Sequence, residues 1–383
     1  MTLIQGPAFG ADTPVTHALV VGVSHYPYLS GPEASAFGTD FGMVDLTSAA
    51  NSASGIAAWL LGEFSRPERP LATLRVLLSP AEGETLHPAL VAAMGEPTPA
   101  TREAVEDAFA AFKADCKANP DNFAFVYIAG HGVQLTTSAS VVLLQDFAHP
   151  DHGEELIGAI DVAGCHRGLS GGSYPNHQIW FADACRQVPA VARRFESMLG
   201  ALSASKPVGD VEASALILAA GPRETAFAEV DGTSLFSQAL LWALRGGSAE
   251  PSRDSDTGWW VRAGTLGQDL QDRIDLLTAA HAVRQQVEPM GRSAPVVVQR
   301  FPGPPECEVE VTLEPPDAAP PPSVHVLLNG DQEIPLQGGW PLRGRLPAGF
   351  YLINVDVEPP LTRGWRKIVE VSYPRFAGQA VVG

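Results

Sequence analysis

The sequence lacks the features that mark secreted and membrane-spanning proteins. Only four of its 383 residues are cysteines, and no two of them form a CxxC pair. This scarcity argues against a disulfide framework and against a zinc site of standard spacing, and it fits a reducing, cytoplasmic compartment. No apolar run approaches the ~20 residues that a membrane span needs. The N-terminus has no basic and apolar segments of the kind that form a secretion signal, so we expect no association with a membrane.

Basic residues are also scarce. The chain has 25 Lys and Arg against 43 Asp and Glu, which gives a formal net charge of −18. Such a surface repels phosphate backbones, so nucleic acid is not an expected partner, whereas cationic substrates are favoured. One loop is rich in side chains that bind metals, but their spacing fits no standard site. We therefore predict a solvated acidic loop, with neither a metal nor another cofactor, at His149, Asp151, His152, Glu154 and Glu155.

The chain does contain short apolar strands that alternate with helices. Strands are predicted at residues 17–26, 71–79, 123–132, 177–185, 213–221 and 293–301. Helical spacing is seen at residues 47–64, 98–116, 234–247 and 265–283. Fully apolar strands that alternate with helices are typical of a parallel sheet that is covered on both faces. The sequence therefore predicts an α/β fold with a mostly parallel six-stranded sheet and helices on both of its faces.

The pattern changes after Phe301. Proline-rich stretches such as "PPDAAPPPS" separate segments in which apolar and polar residues alternate, such as "CEVEVTLE" and "GFYLINVDV". Alternation of this kind, with Gly and Pro turns, predicts a small all-β sandwich. We expect an α/β domain at residues 1–303 and the sandwich at 304–383. The sandwich holds no reactive cluster, so we expect it to serve recruitment or regulation, or to cover an edge of the main sheet.

Two of the predicted strands end in reactive residues. The third ends in "YIAGHGVQ", with His131 between two glycines, and the fourth ends in "FADACRQ", with Cys185 at its tip. Chemistry collects at the carboxyl ends of parallel strands, so neighbouring strands would bring imidazole and thiol together as a nucleophile pair. The N–H groups of Gly132 and Cys185 would then suit an oxyanion hole. Either residue alone is more often an inert buried thiol or a structural histidine.

These motifs resemble those of the caspase-like cysteine peptidases, the group of caspases, metacaspases and bacterial orthocaspases. The resemblance covers residues 17–301, and the separation 185 − 131 = 54 is close to the ~50 residues between His and Cys in caspases. It implies that His131 is the base, Cys185 the nucleophile and Gly132 an oxyanion donor. The chain departs from the family at two positions: Gln187 stands where caspases have Gly, and Ser52, in the expected substrate pocket, stands where many metacaspases have Asp.

The same resemblance implies a cleavage preference through Asp183. Caspases, which cut after Asp, carry Gln two residues before the nucleophile, whereas metacaspases carry Asp there and hold a basic side chain. We therefore expect cleavage after Arg or Lys, with Asp45 or Asp40 as a substitute for the carboxylate missing at Ser52, and with Gly221 lining the peptide groove. The alternatives are that Asp183 caps local backbone N–H groups and that Gly221 is a plain turn.

The sequence is consistent with two functions from different classes. The first is an active cysteine endopeptidase that acts on a protein substrate with a basic cleavage site, in regulated proteolysis such as bacterial cell death or defence. The second is a catalytically silent scaffold or binding protein on a caspase fold. The connection at residues 186–211 is either an activation loop that is cut or a helix that resists cutting.

Overall fold

The computed structural model describes most of the chain. The described residues are 2–10, 12–29, 43–135, 140–153, 156–171, 174–186, 200–204, 213–221, 226–227, 232–252, 258–279, 284–292, 296–316, 323–328, 332–334, 340–359 and 361–382. In this part of the chain, no helix is long and apolar enough to cross a membrane.

Strands and helices are interspersed along the chain up to residue 301. The strands are β1 (Thr2–Gln5), β2 (Thr16–Val23), β3 (Leu71–Ser79), β4 (Phe123–Gly130), β5 (Gly132–Gln134), β6 (Ser140–Leu143), β7 (Ala159–Ile160), β8 (His177–Ala184), β9 (Ala213–Leu218), β10 (Ala249–Pro251), β11 (Trp259–Arg262), β12 (Glu288–Arg292) and β13 (Val297–Phe301). The helices are α1 (Ala49–Gly62), α2 (Pro88–Met94), α3 (Arg102–Lys117), α4 (Val162–Gly168), α5 (Leu235–Trp242) and α6 (Ala263–Thr278), and one π-helical turn (Ala243–Gly247) follows α5.

A seven-stranded sheet forms the centre of the α/β part, in the order β1-β3-β2-β4-β8-β9-β12. The five inner strands run parallel to one another. Strands β2, β4, β8 and β9 are buried along almost their whole length, which is why they read as continuous apolar runs in the sequence. The predicted mostly parallel sheet is therefore present.

Both edges of this sheet differ from the prediction. The predicted sixth strand, 293–301, forms β13 and is not one of the seven, and the edges are β1 and β12, each antiparallel to its neighbour. Strand β12 contains Pro289 and Gly291, which rarely indicate a strand. An edge strand needs hydrogen bonds on only one side and tolerates proline. Because β12 joins the sheet through main-chain hydrogen bonds to β9, it needs no particular pattern of apolar residues that the sequence would reveal.

Helices cover both faces of the sheet, as predicted. Side chains alternate between the faces along each strand, and this alternation decides which helix a residue meets. On β8, Trp180 packs against Phe109 of α3, with ring centroids 6.3 Å apart. The next residue, Phe181, packs against Phe236 of α5 at 6.4 Å. By the same alternation, Asp183 shares the α5 face with Phe181.

Helix α1 lies on the same face of the sheet as α5. Its Trp59 packs against Phe125 of β4, and Phe125 in turn packs against Phe181. The close approach of α1 to β2 depends on Gly22, because a Cβ at that position would lie 2.5 Å from the Cβ of Ala53. Residues from α1, from the start of α5 and from the end of β8 are thereby brought to one place.

The chain divides into two compact units. The first comprises Met1–Leu241 and Arg262–Gln299, and the second comprises Trp242–Val261 and Arg300–Gly383. The second unit therefore includes a segment, with the antiparallel pair β10 and β11, that the sequence analysis assigned to the α/β domain. Independent folding on either side of the expected boundary at 303/304 stays a prediction.

The C-terminal part of the second unit is all-β, as the alternating pattern predicts. Its strands are β14 (Glu306–Glu314), β15 (Ser323–Leu328), β16 (Gln332–Ile334), β17 (Leu342–Pro347), β18 (Gly349–Asp356), β19 (Trp365–Val371) and β20 (Arg375–Val381). They form two sheets, in the orders β17-β14-β20 and β16-β15-β18-β19. Alternate side chains of both sheets, including Val309 and Val311 of β14 with Tyr351 and Ile353 of β18, fill one core.

Candidate active site

His131 and Cys185 follow the ends of two hydrogen-bonded parallel strands. Strand β4 pairs with β8 up to Gly130 and Ala184, so the two reactive residues leave the sheet side by side. The backbones stay in contact beyond the strands, because a Cβ on Gly132 would clash with the carbonyl oxygen of Cys185. Only glycine fits there, which accounts for the second glycine of the "GHG" motif.

The ring of His131 is held in one tautomer. Its Nε2 lies 2.7 Å from the carbonyl oxygen of Val44. A carbonyl oxygen can only accept a hydrogen bond, so Nε2 carries the proton and, in the neutral ring, Nδ1 keeps its lone pair. Burial lowers the pKa of His131, while the Val44 carbonyl and the charge of Asp45 act in the opposite direction. The imidazole is therefore neutral at pH 7 and Nδ1 is the nitrogen that can accept a proton.

The thiol of Cys185 is partly exposed and is bound to backbone. The N–H of Ala226 donates to Sγ at 3.3 Å, and Sγ lies 3.5 Å from the carbonyl oxygen of the same residue. Burial raises the pKa of Cys185, the Ala226 N–H lowers it, and the nearby charge of Asp183 raises it. The resting thiol is therefore protonated. In the described part of the chain, no hydrogen bond joins Sγ to His131.

Asp183 lies deep beside the nucleophile. It is 5% exposed, and its Oδ2 accepts hydrogen bonds from the hydroxyl of Tyr127, at 2.5 Å, and from that of Ser234. Burial raises the pKa of Asp183 to about 6, although both hydroxyls favour the charged form. Both donors reach the same oxygen, and within the described residues no donor reaches Oδ1. These contacts differ from those of a residue that caps local backbone N–H groups, because both donors to Asp183 are side chains that lie far away in the sequence.

Ser52 belongs to the same hydrogen-bonded network. It is fully buried on α1, and its hydroxyl accepts a hydrogen bond from the N–H of Ser234 at 2.9 Å. Ser234 thus links the predicted residues Ser52 and Asp183. The sequence analysis missed Ser234 because its only signal was a helix start: its hydroxyl accepts from the N–H of Ser237 and caps α5.

Asp45 lies beside His131 and outside the network of Asp183. One of its oxygens accepts a hydrogen bond from the N–H of Tyr26 at 2.7 Å, and the other lies 2.8 Å from Nδ1 of His25. Gly221 is buried just after β9, the strand next to β8. The predicted residues Asp40 and Gln187 lie outside the described residues, as does most of the connection at 186–211.

Two further residues with reactive side chains lie on another element, α4. Cys165 is fully buried on α4, and burial raises the pKa of its thiol far above the ordinary range. His166 contacts the hydroxyl of Ser214 at 2.5 Å, and burial lowers its pKa to about 4. Within the residues that the structure describes, no cluster of His, Cys, Asp and Glu side chains could hold a metal ion.

The chain is similar to known proteins. The sequence profile of the caspase domain family matches residues 15–301. The solved structures that match include the crystal structure of caspase-1 from Spodoptera frugiperda, with a TM-score of 0.41, 13% sequence identity, and coverage of 75% of this chain and 90% of that chain. A comparison with curated protein sequences gives no match.

Proposed function

The chain belongs to the caspase domain family of cysteine peptidases, and we propose that it is an endopeptidase with His131 as the base and Cys185 as the nucleophile. The observation that carries the proposal is the pairing of β4 with β8, which delivers the two side chains to one edge of a rigid sheet. The cysteine usage and the family resemblance support a cytoplasmic role in regulated proteolysis, such as bacterial cell death or defence.

The chemistry follows from the protonation states. Nδ1 of His131 takes the proton from Cys185 as Sγ forms a bond to the peptide carbonyl carbon, and the carbonyl electrons move to oxygen. The N–H groups of Gly132 and Cys185 stabilise this oxyanion. When it collapses, the C–N bond breaks and the imidazolium gives its proton to the leaving amine. Water, deprotonated by the same ring, then hydrolyses the thioester and releases the acid product and the thiol.

The preference for Arg or Lys before the scissile bond rests on the geometry of Asp183. Oδ2 is fixed by Tyr127 and Ser234, which leaves Oδ1 as the oxygen that a guanidinium can reach. A charge-assisted hydrogen bond in such a site contributes about 1.5–3 kcal/mol. The neutral Ser52 adds no second charge, so the selectivity depends on this one carboxylate.

A silent scaffold is the second candidate function. The observation that favours it is the bonding of Sγ to Ala226 in place of His131. In that state the thiol is not poised for attack, so turnover requires this bond to break. Covalent labelling separates the two functions, because a silent scaffold has no activated thiol.

We expect a peptidyl electrophile with Arg at its reactive end to modify Cys185 alone. The wild-type chain and the Cys165→Ala variant become labelled, and Cys185→Ala does not, because Cys165 is fully buried and its thiol is not ionised. Intact mass and peptide mapping identify the modified residue. Absence of labelling in the wild type, or equal labelling of Cys185→Ala, contradicts the peptidase and favours the scaffold.

The pH dependence of kcat/KM is expected to differ between substrates. With Leu before the scissile bond, activity falls only as His131 becomes protonated, below its ordinary pKa, because burial lowers that pKa. With Arg, activity also falls as Asp183 becomes protonated near its pKa of about 6 and loses its attraction for the guanidinium. The Arg-to-Leu ratio therefore drops as the pH falls through about 6. Asp183→Asn is the control, and in it the ratio should not change with pH. A constant ratio in the wild type contradicts the assignment of Asp183.

A further inference from the structure

Tyr26 contacts His131 from two sides. Its hydroxyl accepts a hydrogen bond from the backbone N–H of His131 at 2.8 Å, and the two ring centroids are 4.9 Å apart. The hydroxyl can donate to the carbonyl oxygen of Val23, 3.1 Å away at the end of β2, or to that of Leu143 at 3.4 Å. Tyr26 is 1% exposed. The side chain therefore anchors both the backbone and the ring of His131 to the end of a central strand.

Gly130 makes the approach of this hydroxyl possible. A Cβ at Gly130 would lie 2.8 Å from the hydroxyl oxygen of Tyr26, closer than such atoms pack. The two glycines that flank His131 are thus needed for different contacts: Gly130 leaves space for the tyrosine hydroxyl, and Gly132 leaves space for the Cys185 carbonyl. The sequence around His131 therefore accommodates the phenol group of Tyr26.

Tyr26 is also linked to the ring of His131 indirectly, through the segment that contains Asp45. The N–H of Tyr26 donates to Asp45 at 2.7 Å, and the neighbouring residue, Val44, supplies the carbonyl that accepts from Nε2. The N–H of Leu46 donates to the carbonyl of Ser24 at 2.8 Å, so the segment is tied to the end of β2 at Leu46 as well as at Asp45. The Val44 side chain itself is 66% exposed, and packing therefore contributes little to holding its carbonyl.

We propose that Tyr26 and Asp45 are positioning residues that together hold His131 in the orientation and tautomer in which Nδ1 accepts the Cys185 proton. The inference rests on the proposed function for its effect on catalysis, but its geometric content is independent of turnover. In this arrangement Asp45 acts on the base and not on the basic side chain of the substrate. Tyr26 and Asp45 thus hold His131 at two points. The hydroxyl of Tyr26 binds the backbone of His131, and the N–H of Tyr26 binds Asp45, which follows the Val44 carbonyl that binds the ring.

Removal of either residue is expected to lower kcat more than it changes KM. Asp45→Ala frees the segment that carries the Val44 carbonyl, and Tyr26→Phe removes the acceptor for the His131 N–H. Misplacement of a catalytic base by about 1 Å costs on the order of 10²-fold, so we expect kcat to fall about 10- to 100-fold with KM within about twofold. Asp45→Asn keeps an oxygen that can accept from Tyr26 and should restore most of kcat. If Asp45 instead binds the basic side chain of the substrate, Asp45→Ala raises KM for Arg substrates, and that result overturns the proposal.

The tautomer of His131 provides a readout that does not require turnover. In a Cys185→Ala background, ¹⁵N–¹H NMR of the imidazole should show the proton on Nε2 alone, and both Asp45→Ala and Tyr26→Phe should populate the Nδ1–H form. Asp146→Ala is the matched control, because Asp146 accepts from the N–H of Arg102 at the start of α3 and its loss tests general destabilisation.

Each combination of results decides the question. An unchanged tautomer in both variants overturns the proposal, even when kcat falls, since the loss then comes from another cause. The same tautomer change in Asp146→Ala also overturns it. If the tautomer shifts as expected but no form of the chain cleaves peptides or accepts the electrophile, the positioning role holds and the proposed peptidase function fails.

Discussion

Cys185→Ala is expected to lose peptide cleavage by about 10⁴- to 10⁶-fold, the effect seen when a covalent nucleophile is removed from a working dyad. Its free energy of unfolding should stay within about 1 kcal/mol of wild type, because the side chain is partly exposed at a strand tip and not in the core. Hydrolysis of a fluorogenic peptide, together with denaturant unfolding, measures both quantities on the same samples.

His131→Ala should lose nearly as much activity, because nucleophile and base act as a unit. The matched control is Cys165→Ala, which removes a fully buried thiol. This control is expected to keep full activity and to lose about 1 kcal/mol of stability, the reverse of the pattern at Cys185. More than a few per cent of wild-type activity in either dyad variant contradicts the assignment.

The second large effect is expected at Asp183. In a series of substrates with Arg, Lys, Asp or Leu before the scissile bond, the wild type should prefer Arg and Lys, and Asp183→Asn should lose about 10- to 100-fold of that preference. Asn is nearly isosteric, and its oxygen can still accept from Tyr127 and Ser234, so the pocket keeps its shape. A wild-type preference for Asp or Leu, or an unchanged Arg preference in the variant, contradicts the prediction.

The same substitution should stabilise the fold at neutral pH. The pKa of Asp183 is raised to about 6 in the folded chain, so below its ordinary value of 3.8 the residue is neutral in both states and costs nothing. As the pH rises from about 4 to about 6, Asp183 ionises in the unfolded chain before it ionises in the folded chain. The free energy of unfolding therefore falls, by up to on the order of 3 kcal/mol at pH 7. Asp183→Asn removes this loss.

Thermal unfolding at about pH 4 and about pH 7.5 tests this linkage. The variant and the wild type should have similar stability at the lower pH, and the variant should be the more stable at the higher pH. Ser52→Ala serves as a comparison, since Ser52 is on the same network but carries no charge. Equal stability of Asp183→Asn and wild type at both pH values contradicts the raised pKa of the buried carboxylate.

The sequence by itself determined the centre of the fold and the place of its chemistry. Fully buried parallel strands need apolar side chains on both faces, so β2, β4, β8 and β9 were visible as local runs of residues. The ends of those runs marked His131 and Cys185 as candidates, whereas the structure shows that their strands are neighbours. The caspase family resemblance, which the family profile confirms, depended on the same local motifs.

Only the tertiary structure decided what surrounds those two residues. The partners of Asp183 and His131 come from residues 51 to 105 positions away in the chain: Ser234, Tyr127, Val44 and Tyr26. None of them carries a local signal for its role, because a hydroxyl or a carbonyl becomes a partner only when a particular helix or loop docks beside it. Strand edges β1 and β12 were missed for the same reason. Local patterns record which residues are buried, whereas the identity of a polar partner is fixed by the packing of distant segments.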